Sequence, residues 1–494
     1  MSFIHGFEME SPDLNNLLRF SNTSMETAMV YTEATSCDVL EDSGVEILSS
    51  SRYNPYNTSK NENIMYGEFI ILGYNGKLPE GDRGRRRSKI ELYKRQNANG
   101  ITKSRQYKVP NFAHNVSSPL INEDNDTYSI KFQMKDYAVV AEYKKDEATD
   151  IFQIGRSSES PIDFVVLDTM PGNKVVDRHT VKTPQTISRF ACRVLASRDV
   201  NHPAVEIFAA GFDSSKKIFL GNNATIWKKW SLDDACIHGL TTNGVLIMKP
   251  IGVFCDSFEK ASNQQYSTLY TNKRKSPLMP GTWREVSVDG NIFGRREPRS
   301  AIVEGIPVPT EDNLLTDGTL VDLCGATLLW RSSDGLKRSP TADYLQSTLS
   351  HLADLNFLPS NILDMVLPKK TNSDRKSSTK TTHRLFACIN CGHVQQTQAD
   401  DIMNENNIND YCPYCRTTSQ LVQLCLGMEA GFYVDFGPPL HSFVPCGHMV
   451  TEETAKYWAN VPIPCVKSGF YSACPFCATP LDGSTGYIKL IFVS

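Results

Sequence analysis

The sequence lacks several features that mark membrane, secreted and nucleic-acid-binding proteins. No run of about 18 apolar residues occurs in its 494 residues, so we expect no membrane insertion. The first twenty residues carry acidic side chains and no continuous apolar stretch, unlike a secretory signal peptide. The formal net charge of −4 provides no overall attraction to nucleic acid or acidic membranes. We therefore expect no nucleic-acid partner.

Cysteine is sparse in the first 380 residues and concentrated after them. Five of the fourteen cysteines lie singly before residue 380, whereas nine lie between Cys388 and Cys477. The small disulfide scaffolds of secreted proteins are cysteine-dense throughout. A local cluster with two-residue spacing and nearby histidines instead indicates metal binding in a reducing compartment. This pattern favours the cytosol or nucleus, and we expect a cytoplasmic protein.

Composition and patterning divide the chain into several parts, as its length predicts at roughly 100–200 residues per domain. Residues 1–62 are rich in Ser, Thr, Asn and acidic residues, which predicts a disordered segment. Residues 63–335 contain many short apolar runs separated by turn residues, which predicts a mainly β fold, an antiparallel β-sandwich. The predicted strands are 67–76, 137–143, 164–168, 205–211, 217–221, 243–248, 319–325 and 327–331.

Two stretches interrupt the strand rhythm, and a linker follows the sandwich. Residues 94–130 and 250–312 are polar and irregular, and we interpret them as insertions into the sandwich. A helix is predicted at 341–356, where Leu345, Leu349 and Leu352 share one face. It lies in the segment 336–382, which ends in a basic, Ser/Thr-rich flexible linker. Residues 383–494 form a small zinc domain in this interpretation.

The C-terminal region repeats one pattern of metal-ligand residues. A Cys-Gly-His motif is followed by a Cys-Pro-x-Cys motif twice. Four soft or borderline donors complete a tetrahedral zinc site, so eight ligands predict two structural Zn²⁺ ions with no open coordination position. The predicted ligands are Cys391, His393, Cys412 and Cys415 in the first copy and Cys446, His448, Cys474 and Cys477 in the second.

The sequence leaves the assignment of ligands to ions open. Each repeat holds its own ion, or the two Cys-Gly-His pairs share one ion and the two Cys-Pro-x-Cys pairs the other. The internal repeat mildly favours the first arrangement. Cys388 forms another two-residue-spaced pair with Cys391 and is an alternative ligand. Cys425 and Cys465 lack a paired partner in the sequence, so we expect them not to be ligands.

Three short motifs stand in order in the strand-rich region. They supply Arg156, then Ser188 and Arg189, then Thr242 and Asn243. A guanidinium binds phosphate oxygens through two donors, a serine hydroxyl adds another, and an asparagine can bond a peptide backbone. Together these motifs resemble a forkhead-associated (FHA) domain, a β-sandwich whose loops recognise phosphothreonine. The resemblance implies that these five residues bind it.

One position departs from the FHA pattern. FHA domains often carry a histidine three residues after the serine, and this sequence has Ala191 there. That histidine usually braces the site, so we expect the bracing to differ here.

Longer stretches of the chain resemble Pellino proteins over about residues 64–494. Among them are GEFIILGYNGKLPEGDRGRRRS, FQIGRSSESPIDFVV, TISRFACRV and LGMEAGFYVDFGPPLHSFVPCGH. The resemblance implies an FHA-type sandwich with an inserted wing and a RING-like two-zinc domain. It also implies a RING-type ubiquitin-protein ligase of Toll/interleukin receptor signalling in innate immunity. The implied partners are ubiquitin, a ubiquitin-conjugating enzyme and phosphorylated receptor-associated kinases of the Pelle type.

A RING-type ligase needs no covalent nucleophile of its own, so we expect no catalytic residue in the strict sense. RING-type ligases usually present apolar side chains beside the zinc loops to the conjugating enzyme. The candidates here are Trp458, Pro475 and Phe476. The alternatives are a non-catalytic phosphorylation-dependent adaptor, a covalent ligase acting through Cys425 or Cys465, and a zinc-dependent nucleic-acid binder.

Overall fold

The computed structural model describes a large part of one compact unit, residues 62–494. The described residues are 64–73, 88–110, 127–133, 137–167, 187–199, 204–220, 244–255, 277–296, 305–367, 383–398, 411–465 and 469–493. The predicted disordered segment 1–62 and the basic linker at the end of the segment 336–382, residues 368–380, lie outside them. So do Thr242 and Asn243. Within the described residues, no helix combines the length and apolarity needed to cross a bilayer.

The mainly β prediction is confirmed. The described strands of the N-terminal part are β1 Met65–Ile71, β2 Lys89–Tyr93, β3 Gly100–Pro110, β4 Tyr128–Gln133, β5 Tyr137–Asp146, β6 Thr149–Gly155, β7 Phe164–Val165, β8 Cys192–Ser197, β9 Val205–Ala209, β10 Lys217–Leu220, β11 Leu246–Met248, β12 Arg284–Val286, β13 Ile292–Gly294, β14 Leu320–Asp322 and β15 Thr327–Ser332. They form three sheets, of which the first has the order β13-β12-β11-β14-β15-β1-β2, the second β7-β6-β8-β9, and the third β10-β4-β5-β3.

The first two sheets face each other across one hydrophobic core. Phe69 and Trp330 from the seven-stranded sheet meet Ile154, Val194 and Ile207 from the four-stranded sheet. The third sheet has its own hydrophobic core, which includes Ile151 of β6 and Phe212. Most strand pairs are antiparallel, but β10 pairs with β4, and β6 with β7, in parallel. The N-terminal part that the structure describes is therefore a β-sandwich with an additional small sheet.

Each predicted strand overlaps an observed strand, which is usually shorter, although β5 and β15 extend beyond their predicted ends. The stretches predicted to be irregular are partly regular. Residues 94–130 contain β3 and the start of β4, and residues 250–312 contain β12 and β13. In β3 most side chains are exposed or half-buried, so it lacks the apolar alternation by which a strand is detected in a sequence.

The central strands of the seven-stranded sheet are buried on both faces. Along β1, Phe69 and Ile71 point into the sandwich core, whereas Ile70 and Leu72 point into a second core. In β11, Ile247 likewise faces the sandwich core, and the neighbouring Leu246 faces the second. Because successive side chains of a strand alternate between faces, an unbroken apolar run indicates that both faces are covered. The second layer of cover comes from the C-terminal region.

Helices connect the sandwich to the C-terminal region. They are α1 Ser333–Lys337, α2 Ala342–Asp354 and α3 Ile362–Val366. The predicted helix is confirmed as α2. The Thr341 side chain caps it by accepting a hydrogen bond of 3.1 Å from the Tyr344 N–H. On its inner face, Leu345 and Leu349 are fully buried and Leu352 packs beside them.

The described part of the C-terminal region contains short strands, a short 3₁₀ helix, Ala430–Phe432, and a longer α-helix. The strands and the α-helix are β16 His383–Cys388, β17 His393–Gln398, β18 Leu421–Gln423, β19 Cys425–Leu426, β20 His441–Phe443, β21 His448–Val450, α4 Glu452–Asn460, β22 Ile463–Cys465, β23 Gly469–Tyr471, β24 Tyr487–Lys489 and β25 Ile491–Phe492. The strands form sheets with the orders β18-β16-β17-β25, β19-β21-β20-β24 and β22-β23. Thr451 is the N-cap of α4.

Candidate metal centres and phosphate-binding loops

Two turns supply the first Cys/His group. Cys391 and His393 lie at the turn between β16 and β17, and Cys412 and Cys415 lie in a later turn, after β17. The ligand atoms of Cys391, His393, Cys412 and Cys415 all lie within 4.8 Å of one another. The turn between the first two residues needs glycine at Gly392, because its φ is +77° and an added Cβ would lie 2.1 Å from a backbone carbonyl oxygen. The tight turn therefore places two donors side by side.

The second group repeats this arrangement. The ligand atoms of Cys446, His448, Cys474 and Cys477 again lie within 4.8 Å of one another. The intervening Gly447 has a φ of +78°, and an added Cβ would lie 2.0 Å from a backbone carbonyl oxygen. The Cys-Pro-x-Cys turns also match. The backbone N–H directly after the turn donates to the first cysteine carbonyl at 2.8 Å in the first copy and 2.9 Å in the second.

The donor spacings suit a tetrahedral metal ion. With metal–sulfur and metal–nitrogen bonds of roughly 2.3 and 2.0 Å, sulfur and nitrogen ligands should lie about 3.5 Å apart. His393 Nδ1 lies 3.3 Å from Cys391 Sγ. His448 Nδ1 lies 3.5 Å from Cys446 Sγ and 3.6 Å from Cys474 Sγ. Each group thus offers three sulfurs and one Nδ1 nitrogen at the spacing that a metal ion requires.

The structure brings together the ligands within each repeat and not across repeats. The Cys-Gly-His pair of each copy lies beside the Cys-Pro-x-Cys pair of the same copy. Cys388 is buried in β16 and is not a member of the first group. Cys425 and Cys465 also lie outside both groups. We refer to the two repeats with their Cys/His groups, residues 383–423 and 441–481, as the first and second zinc modules, after the metal that the sequence predicts.

The second zinc module packs against the sandwich. Gly73 after β1 donates a backbone hydrogen bond of 2.9 Å to the Pro475 carbonyl within the Cys-Pro-x-Cys turn. Phe476 and Trp458 are fully buried. They belong to the second core, to which the sandwich contributes Ile70, Leu72, Leu246, Met248, Trp283, Leu320 and Leu329. This core joins the two parts of the molecule.

The prediction that Trp458, Pro475 and Phe476 present an apolar face to a partner is wrong for this arrangement. All three residues are buried. The Trp458 Nε1–H donates at 2.9 Å to the Phe432 carbonyl, and Phe476 stacks on the His448 ring with 5.4 Å between ring centroids. The sequence showed that these side chains adjoin a zinc loop, but not that the seven-stranded sheet covers that loop.

Polar contacts reinforce the junction. The guanidinium of Arg331, in β15, is fully buried and donates from Nη1 to the Gly431 carbonyl at 2.6 Å. Lys89 lies between two carboxylates, Glu68 of the sandwich at 3.1 Å and Glu429 of the C-terminal region at 2.8 Å. Burial raises the pKa of Glu68 above its usual value, and the neighbouring Lys89 partly offsets that rise. Apolar and charged groups together hold the sandwich against the C-terminal region.

The first zinc module instead has an exposed turn. Pro413, Tyr414 and Cys415 are exposed, and the side chains of Tyr411 and Tyr414 are 61% and 48% exposed. The Tyr414 ring lies 5.6 Å from the His393 ring, between ring centroids. The two modules thus share a backbone pattern but differ in what surrounds their turns.

Two of the three predicted phosphate-binding motifs come together at one end of the four-stranded sheet. Arg156 follows β6, and Ser188 and Arg189 precede β8. The Arg156 N–H donates to the Ser188 carbonyl at 3.0 Å, and Arg156 Nε donates to the Ile187 carbonyl at 2.7 Å. Arg156 and Arg189 are exposed, and Ser188 is half-buried. The arrangement places two guanidinium groups and a hydroxyl at adjacent loops.

Main-chain contacts hold these two loops against each other. Gly155 allows the close approach, because an added Cβ would lie 2.1 Å from the Arg189 carbonyl oxygen. Ala191 is buried, and its N–H donates to the Ile154 carbonyl at 2.9 Å. The position of Arg156 is therefore fixed by main-chain bonds and by its own Nε–H.

Comparison with known proteins identifies the family. The chain matches the family model described as Pellino, FHA domain over residues 57–348 and the one described as Pellino, RING domain over residues 356–494. The chain belongs to the Pellino family. Protein pellino of Drosophila melanogaster is 49% identical over 433 residues, 87% of this chain and 93% of that protein. The human E3 ubiquitin-protein ligase pellino homolog 2 is 43% identical over 437 residues, 87% of this chain and 96% of that protein.

Membership of the Pellino family confirms several predictions. The mainly β fold is that of an FHA domain followed by a RING-like domain. The prediction of a RING-type ubiquitin-protein transferase is confirmed at the level of the family, whose Pellino RING domain this chain carries. The mouse E3 ubiquitin-protein ligase pellino homolog 3 is 40% identical over 437 residues, 87% of this chain and 90% of that protein.

Proposed function

We propose that this Pellino-family ligase binds threonine-phosphorylated receptor-associated kinases of the Pelle type and promotes their ubiquitination in Toll-like signalling. The proposal includes a cytoplasmic location. The observation that carries the ligase half is the pair of Cys₃His groups, each with its ligand atoms within 4.8 Å, in a Pellino RING domain. The pair of exposed arginines at adjacent loop ends supports the recognition half.

The metal in both groups is Zn²⁺ in this proposal. Three thiolates and one imidazole at tetrahedral spacing match the ligand preference of zinc, and four protein ligands leave no position for a catalytic water. Zinc supplies folding free energy, on the order of 10 kcal/mol per site in small zinc peptides, and no chemical step. The first module holds its ion through Cys391, His393, Cys412 and Cys415, and the second through Cys446, His448, Cys474 and Cys477.

Catalysis in this proposal is positioning. The RING-like domain holds a ubiquitin-loaded conjugating enzyme near an acceptor lysine, so it contributes proximity and orientation. No cysteine of the chain carries ubiquitin, and Cys425 and Cys465 have no covalent role. The enzyme contacts the exposed turn of the first zinc module, including Pro413 and Tyr414, since the turn of the second module is covered. Exposed aromatic side chains are common at the centres of protein interfaces.

Substrate selection takes place at the FHA loops. Arg156 holds its Nε–H on a backbone carbonyl, which leaves its two Nη groups for phosphate oxygens. Ser188 adds a hydroxyl donor, and Arg189 a second guanidinium. Thr242 and Asn243 remain proposed contributors to peptide binding. Tethering a phosphorylated kinase raises the effective concentration of its lysines near the bound conjugating enzyme, so phosphorylation promotes ubiquitination.

Reconstitution of the full chain with a panel of conjugating enzymes tests both halves. Release of ubiquitin from the loaded enzyme to free lysine measures catalysis without a protein substrate. We expect His393→Ala and His448→Ala to abolish release, because each removes a zinc ligand. We expect Arg156→Ala to retain release but to lose ubiquitination of a phosphorylated kinase. Arg105→Ala, which removes an exposed arginine of β3 in the third sheet, is the matched control.

The outcomes separate this proposal from its alternatives. Full activity of both histidine variants would refute the ligase half. Phosphopeptide binding without ubiquitin release, with every conjugating enzyme tried, would indicate a non-catalytic adaptor. A ubiquitin thioester lost on mutation of Cys425 or Cys465 to serine would indicate a covalent ligase.

A further inference from the structure

The phosphate-binding loops contain an acidic side chain as well as the two arginines. Glu159 lies three residues after Arg156, and its carboxylate forms an ion pair with Nη2 of Arg189. The side chains are 36% and 58% exposed, so both are open to a ligand. Arg189 also lies over the Phe190 ring, 5.6 Å from its centroid. The second guanidinium of the site is therefore already occupied by a carboxylate.

The loop holds this carboxylate in place through its backbone. The Glu159 N–H donates to Ser157 Oγ at 3.2 Å, and the Glu159 carbonyl accepts from the Ile162 N–H at 3.0 Å. On the other side, the Ser157 N–H donates to the Arg189 carbonyl at 3.2 Å. Glu159 is thus fixed within its own loop, and that loop is joined to the Arg189 main chain through Ser157. The backbones on both sides of the ion pair are therefore held in place.

The charges of the site do not balance a phosphate. A phosphothreonine carries about two negative charges at neutral pH, whereas Arg156, Arg189 and Glu159 together carry one positive charge. If Arg189 turns to the phosphate, the Glu159 carboxylate is left without that partner beside a dianion. A ligand that also carries a cationic side chain relieves this repulsion, because Glu159 then pairs with the ligand.

We propose that Glu159 determines specificity by competing with the phosphate for Arg189 and selecting phosphothreonine sequences with a neighbouring lysine or arginine. This inference rests on the proposed phosphothreonine binding and extends it to the sequence around the phosphorylated residue. Arg156 and Ser188 are the primary phosphate contacts. Arg189 joins them when a cation of the ligand replaces it at Glu159.

The test uses the full chain and matched phosphothreonine peptides, flanked either by lysine or by glutamate, with unphosphorylated versions as controls. Fluorescence anisotropy measures the dissociation constants at low and moderate salt. We expect the wild type to prefer the lysine-flanked peptide by about fivefold, the upper range for an exposed ion pair. Glu159→Gln should bind the glutamate-flanked peptide more tightly and lose the preference. Glu159→Lys should reverse it, and Glu159→Asp should largely keep it.

These variants distinguish charge selection from a structural role. Equal weakening of both peptides by Glu159→Gln would show that the carboxylate only orients Arg189, and would overturn the inference. A wild type that binds both phosphopeptides equally would also overturn it. A wild type that binds neither phosphopeptide would refute phosphothreonine binding itself, and the inference with it. Ubiquitin release to free lysine should be unchanged in all variants, which verifies that they are folded.

Discussion

Replacing Arg331 by methionine should destabilise the sandwich and the zinc region together. The guanidinium is fully buried, and it donates to Asp317 Oδ1 at 3.0 Å and to the Gly431 carbonyl at 2.6 Å. Methionine fills much of the space but removes the cation that pairs with the Asp317 carboxylate, which keeps the Ser332 N–H at 2.8 Å, and it takes the Arg331 donor from the Gly431 carbonyl. Breaking a buried ion pair in this way costs about 3–5 kcal/mol. The folded-to-unfolded ratio should fall by about a thousandfold.

Urea unfolding measures this effect with two simultaneous signals, tryptophan fluorescence and zinc release to a chromogenic chelator. We expect both transitions to move to lower urea by the same amount, because Asp317 belongs to the sandwich and Gly431 to the C-terminal region. Arg284→Met is the control. It removes a partly exposed ion pair with Glu311 and should cost less than about 1 kcal/mol. An unchanged zinc-release transition in Arg331→Met would refute the shared core.

Three further changes test other parts of the structure. Gly155→Ala should weaken phosphopeptide binding at least tenfold in anisotropy, because the added Cβ would lie 2.1 Å from a carbonyl oxygen of the facing loop. The control Gly294→Ala, where the nearest atom is 3.7 Å from the added Cβ, should leave binding unchanged. Equal affinities of the two variants would contradict the proposed role of the close approach at Gly155. Phe476→Ala should lower the free energy of unfolding by about 3–5 kcal/mol, whereas the same change at the partly exposed Phe470 should lower it far less. Similar denaturation curves for the two variants would argue against burial of the Cys-Pro-x-Cys turn of the second zinc module. Cys412→Ser should reduce bound zinc from two ions to one in metal analysis, and loss of both ions would show that the modules do not bind independently.

The repeated motifs made the metal groups predictable from sequence. A two-residue or one-residue spacing fixes the distance between donors through the geometry of a single turn, so Cys391 and His393 had to lie together. The pairing of that turn with Cys412 and Cys415 required the fold, because eighteen residues intervene and the sequence allows either repeat to supply the partner. The structure places them together through β16, β17 and the turn after Tyr411.

The packing of the C-terminal region onto the outer face of the seven-stranded sheet was less predictable, although part of its signal is present in the sequence. The runs Phe69–Leu72 and Val245–Met248 are apolar at every position, which indicates strands covered on both faces. Such a run does not say what covers the outer face. The partner surface comes from residues more than a hundred positions away, such as Phe432 and Trp458, and only the assembled core joins them. For that reason an exposed role seemed reasonable for Trp458.

The core that joins the sheet to the second zinc module also affects how this protein can be dissected. The first family match ends at residue 348 and the second begins at residue 356, which suggests dividing the chain between them into two fragments. Such a cut would uncover the apolar outer face of β1 and β11 in one fragment and leave Phe432, Trp458 and Phe476 uncovered in the other. Each fragment would then expose an apolar surface to water and tend to aggregate. Weak activity of an isolated C-terminal fragment would therefore report on this damage as much as on the enzyme.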